Sequence, residues 1–270
     1  MPDSTKPEPS KTSSTAQNST NSTNTSDTPV TVRLNKAIAD TGYCARRKAD
    51  ELISAGRVQV NGQTITELGT RIHPAQDAIT VNGQPLTQAE KTYLLFHKPT
   101  GYVTSRRGGR TGESIYSLIP PEFRSVDPAG RLDQDSSGAL LLTNDGDFLF
   151  QITHPRFHVP KLYAITLDHA LSEDDIAHLL AGIPLTPENK LARMSRVIPD
   201  ATQPFRYQVE LITGYNRQIR RSLSALKARV LTLHRISFGP ISLGDLKPGH
   251  CRPLSDAEQA SLLSASIQSQ

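Results

Sequence analysis

Hydrophobic positions are absent from the first part of the chain and then adopt two successive rhythms. Between residues 2 and 29 there is no Val, Ile, Leu or aromatic residue, and Ser, Thr and Asn dominate. Such a stretch cannot bury enough apolar surface to offset the entropy of ordering, so residues 1–31 are expected to form a disordered tail. From Val32 a helical spacing takes over. In RLNKAIADTG, Leu34 and Ile38 lie four apart with Ala37 beside them, and Gly42 supplies a stop. A second helix, ARRKADELISAG, aligns Ala49, Leu52 and Ile53 and ends at Gly56. VQVNGQTI then reads as two alternating strands around Asn61-Gly62, and VNGQ signals another turn at Asn82-Gly83. Residues 32–91 therefore read as a small α/β module that ends in a polar linker, 87–91.

From Tyr93 onward strands prevail. YLLFHKP, ALLLTN, YAITL, YQVELITG and ISFGPISLG read as strands, whereas SEDDIAHLLAG and residues 216–226 read as helices. Strands outnumber helices and do not alternate with them regularly, which fits an α+β domain over 92–256 better than a doubly wound one. Residues 257–270 carry little signal and read as a C-terminal tail.

No apolar run approaches the length that spans a bilayer. The polar opening MPDSTKPEPSKTSS lacks the apolar core of a secretion signal. Asn-x-Ser/Thr triplets at Asn18, Asn21 and Asn24 arise from the composition of the tail and are discounted as glycosylation sites. Two distant cysteines, Cys44 and Cys251, offer neither a disulfide framework nor a Cys-x-x-Cys metal site. A soluble, cytoplasmic monomer is the expectation.

Net charge is +4 over 270 residues, so its distribution matters more than its sum. In the first module Arg33, Lys36, Arg46, Arg47, Lys48 and Arg57 face only Asp40, Asp50 and Glu51. Arg46, Arg47 and Lys48 open a helix, where the dipole disfavours cations, which suggests an external anion. A glycine-rich loop carries Arg106, Arg107 and Arg110, without the Gly-Lys-Ser/Thr of a nucleotide loop. Residues 214–236 contain Arg217, Arg220, Arg221, Lys227, Arg229 and Arg235 and no acid. Three basic patches across two domains favour an extended polyanion, RNA or DNA, over a small phosphorylated substrate.

The sharpest chemistry lies in VDPAGRLDQDSSGALLLTNDG. Asp133-x-Asp135-x-Ser137-Gly138 matches the opening of a calcium loop, but its twelfth position is Asn144, where a glutamate is required. His154 and His158 lie four apart, yet Pro155 and Pro160 argue against a shared helix face for zinc. Residues 134–138 are turn formers. In an extended GRLD, Arg131 and Asp133 point the same way. That pair is either a structural ion pair or a carboxylate kept ionised for nucleophilic attack.

GRLDQDSSGALLLTNDG resembles the catalytic signature of the RsuA/RluB/RluE/RluF family of RNA pseudouridine synthases. HKPTGYVTS resembles the family's first core strand, HPRFHVPKLYAI its tyrosine motif, and TGYNRQIRRSLSAL its arginine motif. FGPISLGDLKPGHCRPL is similar to its C-terminal strand pair, and VRLNKAIADTGYCARRKADELISAGRVQVNG to the ribosomal-protein-type RNA-binding domain that commonly precedes it. The departures are Ser136 for Thr, Ala45 for the Ser that usually caps the second helix, and Ser222 for Met.

The resemblance implies an α/β RNA-binding module followed by a mixed, mainly antiparallel-sheet synthase domain. It implies Asp133 as nucleophile toward a uridine, Arg220 as the cation paired with it, Tyr163 against the uracil and Arg131 beside the extruded nucleotide. Arg33, Lys36, Arg46, Arg47, Lys48, Arg106, Arg107, Arg217 and Arg221 are the residues expected on RNA. The reaction is redox-neutral and internal to the nucleotide, so no cofactor or metal is expected. The target leans toward 23S ribosomal RNA, with 16S RNA, tRNA or a non-catalytic assembly role as alternatives.

Overall fold

A computed structural model of the chain describes residues 31–109, 112–187 and 189–267. The Ser/Thr/Asn-rich stretch before residue 31 lies outside the described residues, as does Arg110. No helix among the described residues is long and apolar enough to cross a membrane.

In the N-terminal module, helices α1 (Leu34–Asp40) and α2 (Arg46–Ser54) place the apolar faces read from the sequence into one small core. Leu34, Ile38, Ala49 and Ile53 close there over Val58, Ile79 and Val81. Four short strands run in the order Gln63–Ile65, Val58–Val60, Ile79–Val81 and Gln84–Pro85. Both Asn-Gly pairs are tight hairpin turns: Asn61 and Gly62 have φ of 51° and 82°, and Asn82 and Gly83 have 54° and 77°. Two positive φ values in succession match the twist of the flanking strands, and Asn-Gly supplies them at low steric cost. The echo along the sequence is thus a repeated turn.

The second domain is built on a nine-stranded sheet. Its main path runs Arg196–Pro199, Arg206–Leu211, Lys161–Leu167, Val230–Phe238, Ser137–Thr143, Tyr93–Lys98 and Cys251–Pro253. Neighbours along this path pair antiparallel, except that Val230–Phe238 runs parallel to Ser137–Thr143. Flanking it are α3 (Gly146–Thr153), α4 (Glu173–Ala181), α5 (Gln218–Ala225) and α6 (Asp256–Ile267).

The leucine run sits at the centre. Leu140 and Leu142 enter one core with Leu94, Phe96 and Ile165, while Ala139 and Leu141 enter a second with Leu95 and Phe238. A strand buried on both faces has no polar alternation, which is why this segment is a continuous apolar run. At the parallel junction Gly138 has φ +112°, and a Cβ there would collide with the Arg235 backbone. Only glycine allows these two strands to approach so closely.

Two helices were not read from the sequence. GDFLFQIT, to which no element was assigned, forms α3, started by the Asp145 carboxylate, which accepts bonds from the amides of Asp147 and Phe148 at 3.0 and 3.2 Å. Residues 257–270 read as a tail, but Asp256–Ile267 is a helix whose Leu262 is completely buried in the second core. Its Ser and Ala residues blur the apolar periodicity. A two-pronged bond from Arg252 to Glu258, 2.8 and 2.7 Å, ties it to the last strand.

Ala45 is the N-cap of α2 and has no side chain to accept a bond from the first turn. Ala45→Ser is expected to stabilise the module by about 1 kcal/mol. Calorimetry should show the thermal midpoint rise by a few degrees.

Candidate active site

The backbone of the Asp133 loop is held chiefly by Lys98 and the segment that follows it. Lys98 ends that strand completely buried, with its ammonium donating to three carbonyl oxygens: Pro99 at 3.0 Å, Asp133 at 2.9 Å and Ser136 at 2.7 Å. Thr104 Oγ1 donates to the Leu132 carbonyl at 2.8 Å, and the Gly101 amide donates to the Gln134 carbonyl at 2.8 Å. The loop is therefore bound by its backbone, which leaves the Asp133 carboxylate to face the cavity. Burial drives the Lys98 ammonium down to about 8, against the opposing pull of Asp133 and Asp135 and with help from Arg235.

The cavity, about 260 Å³, is lined by Arg131, Asp133 and Tyr163 together with Tyr215, Asn216 and Arg217. Asp133 and Arg131 come from one sequence motif and Tyr163 and Arg217 from two others, and the fold brings them to one opening. Tyr163 is buried on the Lys161–Leu167 strand, paired across to Arg235. Arg131 is exposed at the rim.

The cations around the carboxylates are arranged differently from the sequence expectation. Asp133 pairs with Arg217, whose Nη1 lies 3.4 Å from Oδ2. Arg220, expected to hold Asp133, instead reaches Asp135: its Nη2 is 3.2 Å from the Oδ2 and donates to the backbone carbonyl at 2.9 Å. Its Nη1 donates to the Val230 carbonyl at 2.9 Å. The reason is position on α5. Arg220 lies within the helix and turns its guanidinium toward the sheet, whereas Arg217 is the N-cap in a left-handed conformation, φ 47° and ψ 36°. A non-glycine residue held there is strained, and such strain gathers at functional sites.

Two cations, buried Arg235 and half-buried Lys161, escaped the sequence reading as site elements. Arg235 belongs to the cluster read as an external basic surface, yet it is 3% exposed. Its Nε donates to the Ala139 carbonyl at 2.5 Å, its Nη1 lies 3.5 Å from the Tyr163 hydroxyl, and its Nη2 has no hydrogen-bond partner among the described residues. Lys161 donates to the Val159 carbonyl at 2.7 Å, and burial, then Arg235, push its ammonium down to about 8. Buried cations held without a facing carboxylate cost several kcal/mol each. Here they concentrate positive potential beneath the cavity. VPKLY and HRISFG hold these residues, and only the alternation of buried and exposed strand positions could have marked them as interior.

Of the residues expected on RNA, Arg33, Arg46, Arg47, Lys48 and Arg107 are exposed. Three others have local duties. Lys36 binds Asp40 at 2.7 Å and reaches Asp147, at the start of α3, at 3.1 Å, which ties the module to the synthase domain. Arg106, though exposed, lies along the surface onto Asp127 at 2.7 Å and onto the carbonyls of Arg124, Ser125 and Val126, with its guanidinium 4.9 Å over the Tyr116 ring. Arg221 bonds the carbonyls of Asn216 and Thr186.

A carboxylate, an aromatic ring and guanidinium groups around one opening, with a separate basic module, define an enzyme that acts on a polyanion. Comparison gives that class its chemistry. Residues 92–225 match the RNA pseudouridylate synthase family and residues 32–77 the S4 domain. An RNA pseudouridine synthase of Aquifex aeolicus, itself described as uncharacterized, is 36% identical and spans 87% of this chain and 94% of that protein. Ribosomal large subunit pseudouridine synthase B of Bacillus subtilis is 34% identical over 84% of this chain and 93% of its own length. Ribosomal small subunit pseudouridine synthase A of Yersinia pestis is 33% identical over 86% and 98%. The crystal structure of a pseudouridylate synthase superposes with a TM-score of 0.63 at 29% identity, covering 86% of this chain and 99% of that one. The chain belongs to the RsuA/RluB family of RNA pseudouridine synthases.

Lys98→Met leaves three carbonyls without their donor and is expected to destabilise the fold by about 3 kcal/mol or more. A thermal midpoint within a degree of the parent would contradict it. In the intact protein, pH has a separate signature. Below about 8 Lys98 is charged whether folded or not; between there and its ordinary value of 10.5 the folded chain releases the proton first. The unfolded state then binds more protons, so this group adds stability as pH rises. The neutral amine keeps only two donors, so one bond to the loop is lost. Turnover should decline above pH 8 while the fold holds, as seen by circular dichroism across the same range.

Proposed function

We propose that Asp133 is the nucleophile of this synthase and that its substrate is a uridine within structured ribosomal RNA, of the large subunit. What carries the reading is that Asp133 and Tyr163 line one cavity while Arg217 holds the carboxylate at 3.4 Å. A guanidinium beside a carboxylate fixes its orientation, which a nucleophile needs. A base stacked in a duplex cannot meet that oxygen, so the uridine must be extruded, with Arg131 at the rim placed to occupy the vacated space.

The chemistry balances within the nucleotide. Asp133 attacks to form a transient covalent bond, the bond between N1 and the sugar breaks, and the uracil turns over against Tyr163. A bond from C5 to the sugar replaces the lost one, the bond to Asp133 breaks and returns its electron pair to the carboxylate, N1 gains a proton and C5 gives one up. No electrons are exchanged with any other group. Large-subunit RNA is favoured by the B. subtilis relative and by the HPxxxV and KxY spacing around Tyr163, and the reaction belongs in the cytoplasm where ribosomes assemble.

Asp133→Asn should reduce pseudouridine formation to background without changing the thermal midpoint. Carbodiimide-dependent reverse-transcription stops on ribosomal RNA from cells with the parent, the variant or neither would show it. Product persisting in the variant, with no other synthase for that position, would refute the nucleophile. Stops restricted to small-subunit RNA would refute the target.

Arg46 and Arg47 project from α2 with no carboxylate partner among the described residues. Reversing both charges is expected to weaken RNA affinity about 10-fold or more and to flatten its salt dependence by about two in slope. Filter binding across a salt series checks both numbers.

A further inference from the structure

We propose that Asp135 is a positioning residue for the reaction: it locks the Arg217 and Arg220 guanidiniums in place so that Arg217 stays against the Asp133 carboxylate. The inference rests on Asp133 being the nucleophile.

The geometry around Asp135 is richer than that around Asp133. Arg217 grips Asp135 with both terminal nitrogens, Nη2 at 3.1 Å from Oδ2 and Nη1 at 3.4 Å from Oδ1. Arg220 adds Nη2 at 3.2 Å from the same Oδ2 and at 2.9 Å from the Asp135 carbonyl. Asp133 receives only the Nη1 of Arg217, at 3.4 Å. Arg217 therefore forks across two carboxylates, and the stronger grip is on the one that does not face the uridine. A long side chain starting from a strained N-cap must lose considerable rotamer freedom to stay in one place. A fork-shaped bond is the interaction that can impose this.

The cost of the arrangement points the same way. Asp135 is about half exposed, with 49% of its side chain open to solvent, at the mouth of a site that receives a polyanion. A carboxylate there repels the substrate. Burial works to raise its protonation range, but the Arg217 hydrogen bond and the charges of Arg220 and Arg217 outweigh this and hold it below the usual carboxylate range. Asp135 is thus ionised wherever the enzyme works. An anion retained against its own substrate is explained if its contribution falls on the reacting carboxylate.

That trade separates turnover from binding. In Asp135→Ala, kcat should fall about 10-fold to 100-fold, the scale of a misplaced reacting group. KM for RNA should stay level or fall, because a repelling charge is gone. Asp135→Glu should recover most of the lost kcat. Asp135→Asn keeps the shape of the site and serves if the alanine variant folds poorly; it should show the same split.

The deciding measurement is a double-mutant cycle with Arg217→Ala. If Asp135 acts through Arg217, adding Asp135→Ala to Arg217→Ala costs little further kcat; if the two losses multiply, the proposal is overturned. An unchanged kcat in Asp135→Ala, with or without a lower KM, overturns it too, since Asp135 would then merely occupy the guanidiniums until RNA arrives. These outcomes are distinct from product persisting in Asp133→Asn, which would remove the nucleophile itself.

Discussion

A single ammonium group, shut inside the protein at the end of a strand, organises this site. Lys98 gives its donors to carbonyls on both sides of the loop that carries Asp133, and nothing else in the vicinity offers a comparable set. Burying a cation is costly unless its protons are all taken up. In the conformation that satisfies them, the Asp133 side chain is turned to the cavity. The energetic demand of one cation thus becomes a geometric constraint on a neighbouring anion. Thr104 and Gly101 extend the same logic, since each binds the backbone of the loop and leaves its acidic side chains untouched.

Charge is layered about that loop. Interior cations lie below, where Lys98, Lys161 and Arg235 approach through the sheet. Arg217 and Arg220 meet the carboxylates at the mouth. The N-terminal module carries the outermost layer on α2. Only this last layer is built for strong dependence on salt, because exposed charges are screened and buried ones are not. The exposed charge of α2 and the charge packed around the Asp133 loop are therefore electrostatically separate.

Much of this was legible in the chain before any coordinates. The two helices of the module, its Asn-Gly hairpins and the buried leucine run follow from local periodicity and turn chemistry, which leave each segment few alternatives. The motif around Asp133 and its convergence with Tyr163 were readable because each motif lies at the end of a predictable strand. The partner of the carboxylate was not. Arg217 and Arg220 are three apart on one helix, and which of them reaches Asp133 depends on a left-handed N-cap that no residue type announces. Arg106 and Lys36 were read as RNA contacts for a similar reason: composition shows a positive charge but not whether an acceptor waits nearby in space. The last helix escaped notice because its contact with the core depends on Leu262 among small residues.

The Ser137–Thr143 strand has one set of side chains in each hydrophobic layer and the reactive loop at its head. It is pinned against Val230–Phe238 where only a hydrogen fits between backbones. A side chain of any size at position 138 would have to push the Arg235 backbone aside, and the displacement would fall on the loop next to it, five residues from Asp133. The tolerance of this position is therefore set by backbone crowding and not by the chemistry of the residue placed there.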